Sequence, residues 1–155
     1  MAEVGPDALP GIFVHACLDG RVRFGAGEVT PASFGDLPSA LRNRLKAPST
    51  GQVWRLNTAG RSYLYMLNYD PRRGADPKIC GLASDSMSLD AAGDAVEARI
   101  AGVAFSRPDS EIQWLRPEDG YVVTAANLAG FKVVHVNWLS EEKRKAAVAA
   151  LRNVQ

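Results

Sequence analysis

The chain has 155 residues and a mass of 16.6 kDa, enough for one domain with a sizeable core. Hydrophobic residues make up 46% and charged residues 23%, a balance that excludes a disordered chain. The net charge of +1 gives no global field toward nucleic acid or anionic lipid, and no apolar run approaches the roughly 20 residues of a membrane span.

In chain order, residues 1–5 carry neither a charged leader region nor an apolar one. The pair Ala2-Glu3 is of the kind that follows a cleaved A-x-A site, so the expectation is an exported chain, periplasmic or secreted. A plain cytoplasmic start is the alternative. Residues 7–18, DALPGIFVHACL, predict a helix. Its stripe of Leu9, Ile12, Phe13, Ala16 and Cys17 recurs with helical spacing, Asp7 stands at its start and Gly20 just past its end. His15 falls on the polar flank. Residues 19–35 are glycine-rich and lack a period, which predicts loop with at most a short extended piece at 21–24. Asp36 caps a short helix, 37–46, with Leu37, Leu41 and Leu45 on one side, and Pro48 ends it.

Three strands are predicted next, at 52–57, 62–69 and 78–84, the last after the loop DPRRGADP. Ser88 then caps a helix over 89–102, in which Gly93 costs about 1 kcal/mol relative to alanine. Three further strands follow at 112–116, 121–127 and 131–139. Ser140 caps a last helix, with Glu141 and Glu142 in its first turn and an apolar stripe of Ala147, Ala150, Leu151 and Val154.

These elements echo one another. Trp54 and Trp114 open the first strand of each set, Gly60 and Gly120 sit in the next turn, and Tyr63 and Tyr121 start the second strands. Lys78-Ile79 and Lys132-Val133 open the third strands, and Ser88 and Ser140 precede the helices. The predicted fold is a single α+β domain over 1–155, with an antiparallel sheet of about six strands. It would be built from two β-β-β-α halves, 52–102 and 112–154, with helices mainly on one face and a further helix in front. Two ordinary meanders, echoing by coincidence, are the alternative.

Alternation in the third strand points Cys80 and Leu82 one way and Ile79 and Gly81 the other. The echo places Cys80 and Leu82 with Val134 and Val136, an apolar face that helices would cover. Cys17 lies in the apolar stripe of the first helix, so both cysteines point into one layer. Three readings stand: buried free thiols, a Cys17–Cys80 disulfide, or a catalytic or metal role. The disulfide leads, because it would staple the first helix to the sheet across a loop-rich stretch. On the chain-entropy model so long a closed loop is worth roughly 4 kcal/mol. Such bonds persist mainly in oxidising compartments.

The runs HACL in the first helix, VWRL and KICGL in strands, and DGYVV at a later strand start carry a resemblance. Together they resemble small exported proteobacterial proteins of unknown function, over most of the chain. The resemblance implies export and brings no catalytic residue with it.

Motifs for chemistry are absent. Two histidines and two distant cysteines do not have metal-ligand spacing, and no phosphate loop, dinucleotide fingerprint or nucleophile elbow occurs. No cofactor is therefore expected. His135 alternates with Val134 and Val136 and so faces away from Cys80. The face opposite Cys80 carries Ile79, Gly81, Val133, His135 and Asn137, joined by Tyr63 and Tyr65 if the register allows. That face, His135, Asn137, Tyr63 and Tyr65, is the candidate binding surface, with the basic loop tip Arg72-Arg73 as a second contact. The functional expectation is an exported, non-catalytic monomer or homodimer that binds a protein partner or a small ligand, without nucleic acid and without a membrane span. One alternative is a small hydrolase using His135 with a tyrosine or aspartate, which requires a pocket with His135 in its wall. Another is a cytoplasmic ligand-binding regulator with free thiols.

Overall fold

Eight strands form one sheet in a computed structural model that describes residues 3–70, 72, 76–100, 103–106, 111–116 and 118–154. The strands are β1 (Val29–Ala32), β2 (Thr50–Leu56), β3 (Ser62–Asn68), β4 (Lys78–Ser84), β5 (Val103–Ser106), β6 (Ile112–Arg116), β7 (Tyr121–Leu128) and β8 (Phe131–Trp138). The helices are α1 (Leu9–Phe13), α2 (Ser39–Leu45), α3 (Leu89–Arg99) and α4 (Glu141–Val154). Across the sheet the order is β1-β2-β3-β4-β8-β7-β6-β5. Every neighbouring pair is antiparallel. The chain meanders inward to β4, crosses through α3 to the far edge, and meanders inward again to close on β4 with β8.

The α+β class and the leading helix are as the sequence predicts. The sheet has eight strands rather than six, because β1 and β5 also join it. Pro31 lies within β1 and removes a ladder donor, which an edge strand tolerates. β5 is the opposite edge. Each half therefore has four strands, with α2 and α3 in the first and α4 in the second. Trp54 and Trp114 occupy the second strand from either edge, β2 and β6. Ser88 and Ser140 each accept a backbone N–H three residues on, from Ala91 at 3.2 Å and Lys143 at 3.3 Å, as helix caps do.

β4 is buried along six of its seven residues, which explains why KICGLAS reads as an apolar run. On one face Cys80, Leu82, Val134 and Val136 pack under α1 and α3 with Leu9, Phe13, Cys17, Val96 and Trp114. α1 is irregular: a 3₁₀ turn at Pro6–Ala8 leads in, and a π-helical turn at Val14–Leu18 leads out. No side chain caps its start, and none caps α2, so neither Asp7 nor Asp36 acts as the helix cap expected; the Asp36 carboxylate accepts from Ser33 N–H at 2.8 Å instead. The apolar stripe nonetheless does its work, with Leu9, Phe13, Ala16 and Cys17 all buried.

The opposite face is not left open. Leu37, Leu41 and Leu45 lie fully buried against Val53, Tyr63, Tyr65, Leu67, Ile79, Ala83 and Val133. Helices thus cover both faces, against the expectation of one. On α4, Ala147 is half-buried and Ala150 exposed, so the stripe is less buried than expected; the side chains of Leu151 and Val154 lie outside the described residues.

Candidate functional site

The site follows from one row of residues that crosses the second face. Pairing places Val53 opposite Tyr65, Tyr65 opposite Gly81, Gly81 opposite His135, His135 opposite Thr124, and Thr124 opposite Gln113. Directly paired residues share a face, so all six belong to one line. The glycine in the middle is required by its neighbours. A Cβ on Gly81 would lie 2.4 Å from the Tyr65 hydroxyl and 2.5 Å from the His135 Cβ. The bare backbone lets the phenol of β3 reach over β4 to β8, where its oxygen lies 3.4 Å from His135 Nδ1.

α2 closes the Val53–Tyr65 end of the row. Its C-terminal end is pinned by Tyr69, whose hydroxyl donates to the Leu45 carbonyl at 2.8 Å. Burial pushes that phenol up to about 12. The Arg44 guanidinium ties the helix across to Glu111, a buried carboxylate just before β6. Arg42 Nε donates to the Leu37 carbonyl at 3.0 Å.

Beyond α2 the other end of the row borders a cavity of about 520 Å³, although Thr124 and His135 are themselves largely buried. Its floor alternates. His135, Thr124 and Gln113 make a polar line, and Ile79, Val122 and Leu115 an apolar one. Arg44 and Leu45 of α2, Asp76, Leu139 and Lys143 form the wall.

Asn137 fixes the polarity of the rim. Its Nδ2 donates to Asp76 Oδ2 at 3.1 Å, which directs Oδ1 elsewhere, and that oxygen is buried without a donor. Lys143 Nζ lies 3.2 Å from Asp76 Oδ1, close enough for an ion pair but not aligned as a hydrogen bond. That carboxylate oxygen is also buried with no hydrogen-bonded donor. A buried acceptor left unmatched costs on the order of 1–3 kcal/mol, so Asn137 Oδ1, which unlike Asp76 Oδ1 has no cation paired with it, favours a ligand that donates. Charges are balanced in pairs, Arg44 with Glu111 and Lys143 with Asp76.

Burial holds His135 neutral. Desolvation, reinforced by the Arg44 charge, pushes its pKa down to about 3. The Tyr65 hydroxyl and His135 Nδ1, 3.4 Å apart, are each able to donate or accept, according to which ring nitrogen carries the proton. Burial also pushes the Tyr65 phenol upward, only partly opposed by Arg44.

The disulfide reading of the cysteines is the one the structure contains. Cys17 and Cys80 are bonded at 2.09 Å with Cα atoms 5.4 Å apart, and both are buried. Their bond closes a sequence separation of 63 and ties the π-helical turn to β4.

The candidate surface is divided. His135 and Asn137 border the cavity. Tyr63 and Tyr65 do lie on that face but are buried, Tyr65 under α2 and Tyr63 beside Arg61, whose guanidinium sits 5.9 Å from its ring. They are scaffold rather than surface. Arg72 is exposed and paired with Asp70 at 3.0 Å; Arg73 lies outside the described residues. Asp76, from the same loop, is the residue that reaches the cavity. Arg44, Glu111, Gln113, Thr124 and Lys143 were not singled out by the sequence. Alternation alone could have flagged Thr124 and Gln113 as polar side chains inside otherwise apolar strands.

The fold and site together define an α+β scaffold, cross-linked on one face and half-open on the other. Comparison with protein-family models, curated proteins and solved structures returned no match.

Proposed function

We propose that this is an exported, non-catalytic binding protein whose ligand is a small, polar molecule without net charge. The observation that carries the reading is the half-open cavity over His135, Thr124 and Gln113, with the buried, unmatched Asn137 Oδ1 at its rim. Its volume lies in the range of small-molecule sites, and its floor offers both apolar contact and hydrogen bonds. Paired rim charges leave no net field to recruit a strongly charged molecule. The unmatched Asn137 oxygen selects a hydroxyl or amide donor.

Export is supported by the disulfide, since such bonds persist mainly in oxidising compartments. The resemblance to small exported proteobacterial proteins points the same way. Among the described residues no helix is long and apolar enough to cross a membrane.

The hydrolase alternative asks for a pocket with His135 in its wall, and the cavity supplies that much. It does not supply the proton chemistry. A general base works best with a pKa near the operating pH, whereas His135 is held far below it and Tyr65 far above. Asp76 engages Asn137 and Lys143 instead of the imidazole.

Calorimetric titration with glucose, glycerol and L-serine, with citrate and putrescine as charged controls, tests the reading. Saturable heat with a neutral or zwitterionic probe, lost in Thr124→Val, is expected. Preferential binding of citrate or putrescine would contradict it.

A further inference from the structure

A second cleft lies on the other side of the molecule, beside the disulfide. It is lined by Ile12, His15, Ala16, Arg21, Arg23 and Phe24 and encloses about 370 Å³. One wall is the α1 segment, which widens into the π-helical turn Val14–Leu18. Asp19 N–H donates to the Val14 carbonyl at 3.0 Å, the long step that marks this turn. Single π turns occur disproportionately at functional positions. The other wall is the chain returning through residues 20–24. Gly20 reverses its direction with φ of 69°, and Arg21 N–H holds it by donating to the His15 carbonyl at 2.7 Å.

This segment belongs to no regular element, and Arg21 and Arg23 both line the cleft. Val22, between them, is 38% exposed, the one large apolar side chain so exposed among the described residues. Phe24 is fixed behind them by its ring contact with Trp54, centroids 6.3 Å apart. The floor of the cleft is therefore apolar: Ile12, Ala16 and Phe24. Its rim is cationic and unanswered. No carboxylate among the described residues pairs with Arg21 or Arg23. The two acids close by in sequence have other partners, although one of these, His15, itself lines the cleft. Asp19 holds His15 at 3.5 Å and Arg99 at 2.7 Å, and the Glu28 carboxylate accepts from Gly25 N–H.

We propose that this cleft is a separate binding site for a small amphipathic carboxylate, whose tail lies on Ile12, Ala16 and Phe24 and whose head meets Arg21 and Arg23. The site is independent of the cavity over His135. The two differ in the chemistry they select: the first cavity is balanced in charge, whereas this cleft presents two free guanidinium groups above an apolar floor.

Octanoate is the probe, with octanol (tail without charge), acetate (charge without tail) and octyltrimethylammonium (opposite charge) as comparisons. Saturable octanoate binding is expected by calorimetry, with amide shifts at Ile12, Ala16 and Phe24 by NMR. Octanol and acetate should each bind at least about 10-fold more weakly, since each lacks one half of the recognition. Arg21→Gln and Arg23→Gln should each weaken octanoate about 10-fold, because a hydrogen bond to a charged group is lost. Both side chains are exposed, so the variants are expected to keep the parent melting temperature. Arg72→Gln, an exposed arginine elsewhere, and Thr124→Val should leave octanoate binding unchanged. Undiminished binding in the Arg21→Gln/Arg23→Gln variant, shifts confined to other residues, an ammonium probe that binds as well as octanoate, or no saturable binding would each overturn the proposal.

Discussion

The two halves of a single row, Val53–Tyr65–Gly81 and Gln113–Thr124–His135, have unlike fates. They occupy matching places in the two meanders and lie on the same face of the same sheet. One half is sealed under α2 and the other lines a cavity. Strand geometry is not the cause. Between β1 and β2 the chain spends residues 33–49 on a turn and α2, which folds over the face. Between β5 and β6 it has only residues 107–111, too few for a comparable helix. A difference in one connection length thus turns equivalent positions into covered core on one side and the floor of a cavity on the other. The residues follow suit: valine, tyrosine and glycine where nothing polar is welcome, glutamine, threonine and histidine where a ligand could be met.

The comparison predicts that changes in the covered half act on stability and changes in the open half act on binding. The largest effect should come from the fastening that underlies both. Replacing Cys17 and Cys80 with alanine, or reducing them, should cost roughly 4 kcal/mol on the chain-entropy model, measured by urea unfolding. A loss under about 1 kcal/mol would mean that α1 is held by packing alone. Next comes Gly81→Ala, where the added methyl would meet both Tyr65 and His135. Overpacking of this kind costs about 1–3 kcal/mol, and it should also disturb the cavity floor, visible as shifts at Thr124.

The third test uses pH. His135 binds a proton in the unfolded chain near the ordinary value of 6.5 but, when folded, only near 3. Its contribution to stability is therefore complete above 6.5 and declines as pH falls below it. The slope should approach at most ~1.4 kcal/mol per pH unit between those limits. His135→Gln should flatten the curve between pH 6.5 and the onset of carboxylate titration. An unchanged slope would show that the imidazole is not buried neutral.

The smallest stability effect belongs to the open half. Thr124→Val removes the hydroxyl of a buried side chain, and it should change stability by on the order of 1 kcal/mol. If glucose, glycerol or L-serine binds the parent, the same variant should lose most of that binding.

Much of this contrast could be read from the sequence, and the reasons for the rest are physical. β2, β3, β4, β6, β7 and β8 announce themselves by β-branched and aromatic residues between glycine or proline punctuation. The shared layer of Cys17 and Cys80 follows from two local periods, one helical and one extended. β1 escaped because Pro31 and nearby glycines mask a strand that exists only by pairing with β2. The stripe of Leu37, Leu41 and Leu45 is evident, yet which face it covers depends on how the chain leaves β1, and no local pattern records that. The cavity depends on still longer distances. Arg44 and Glu111 are 67 residues apart, and Asp76 and Asn137 are 61 apart. Their meeting requires the crossing through α3 and the β4–β8 pairing to be known first.

Amide-resolved NMR titration with glucose, glycerol and L-serine tests the central claim most directly. The account predicts that at least one produces saturable shifts at Gln113, Thr124, His135 and Asn137, while Val53, Tyr65 and Leu67 stay still. Shifts centred on the residues beneath α2, or no saturable shift in the open half with any of the three, would contradict it.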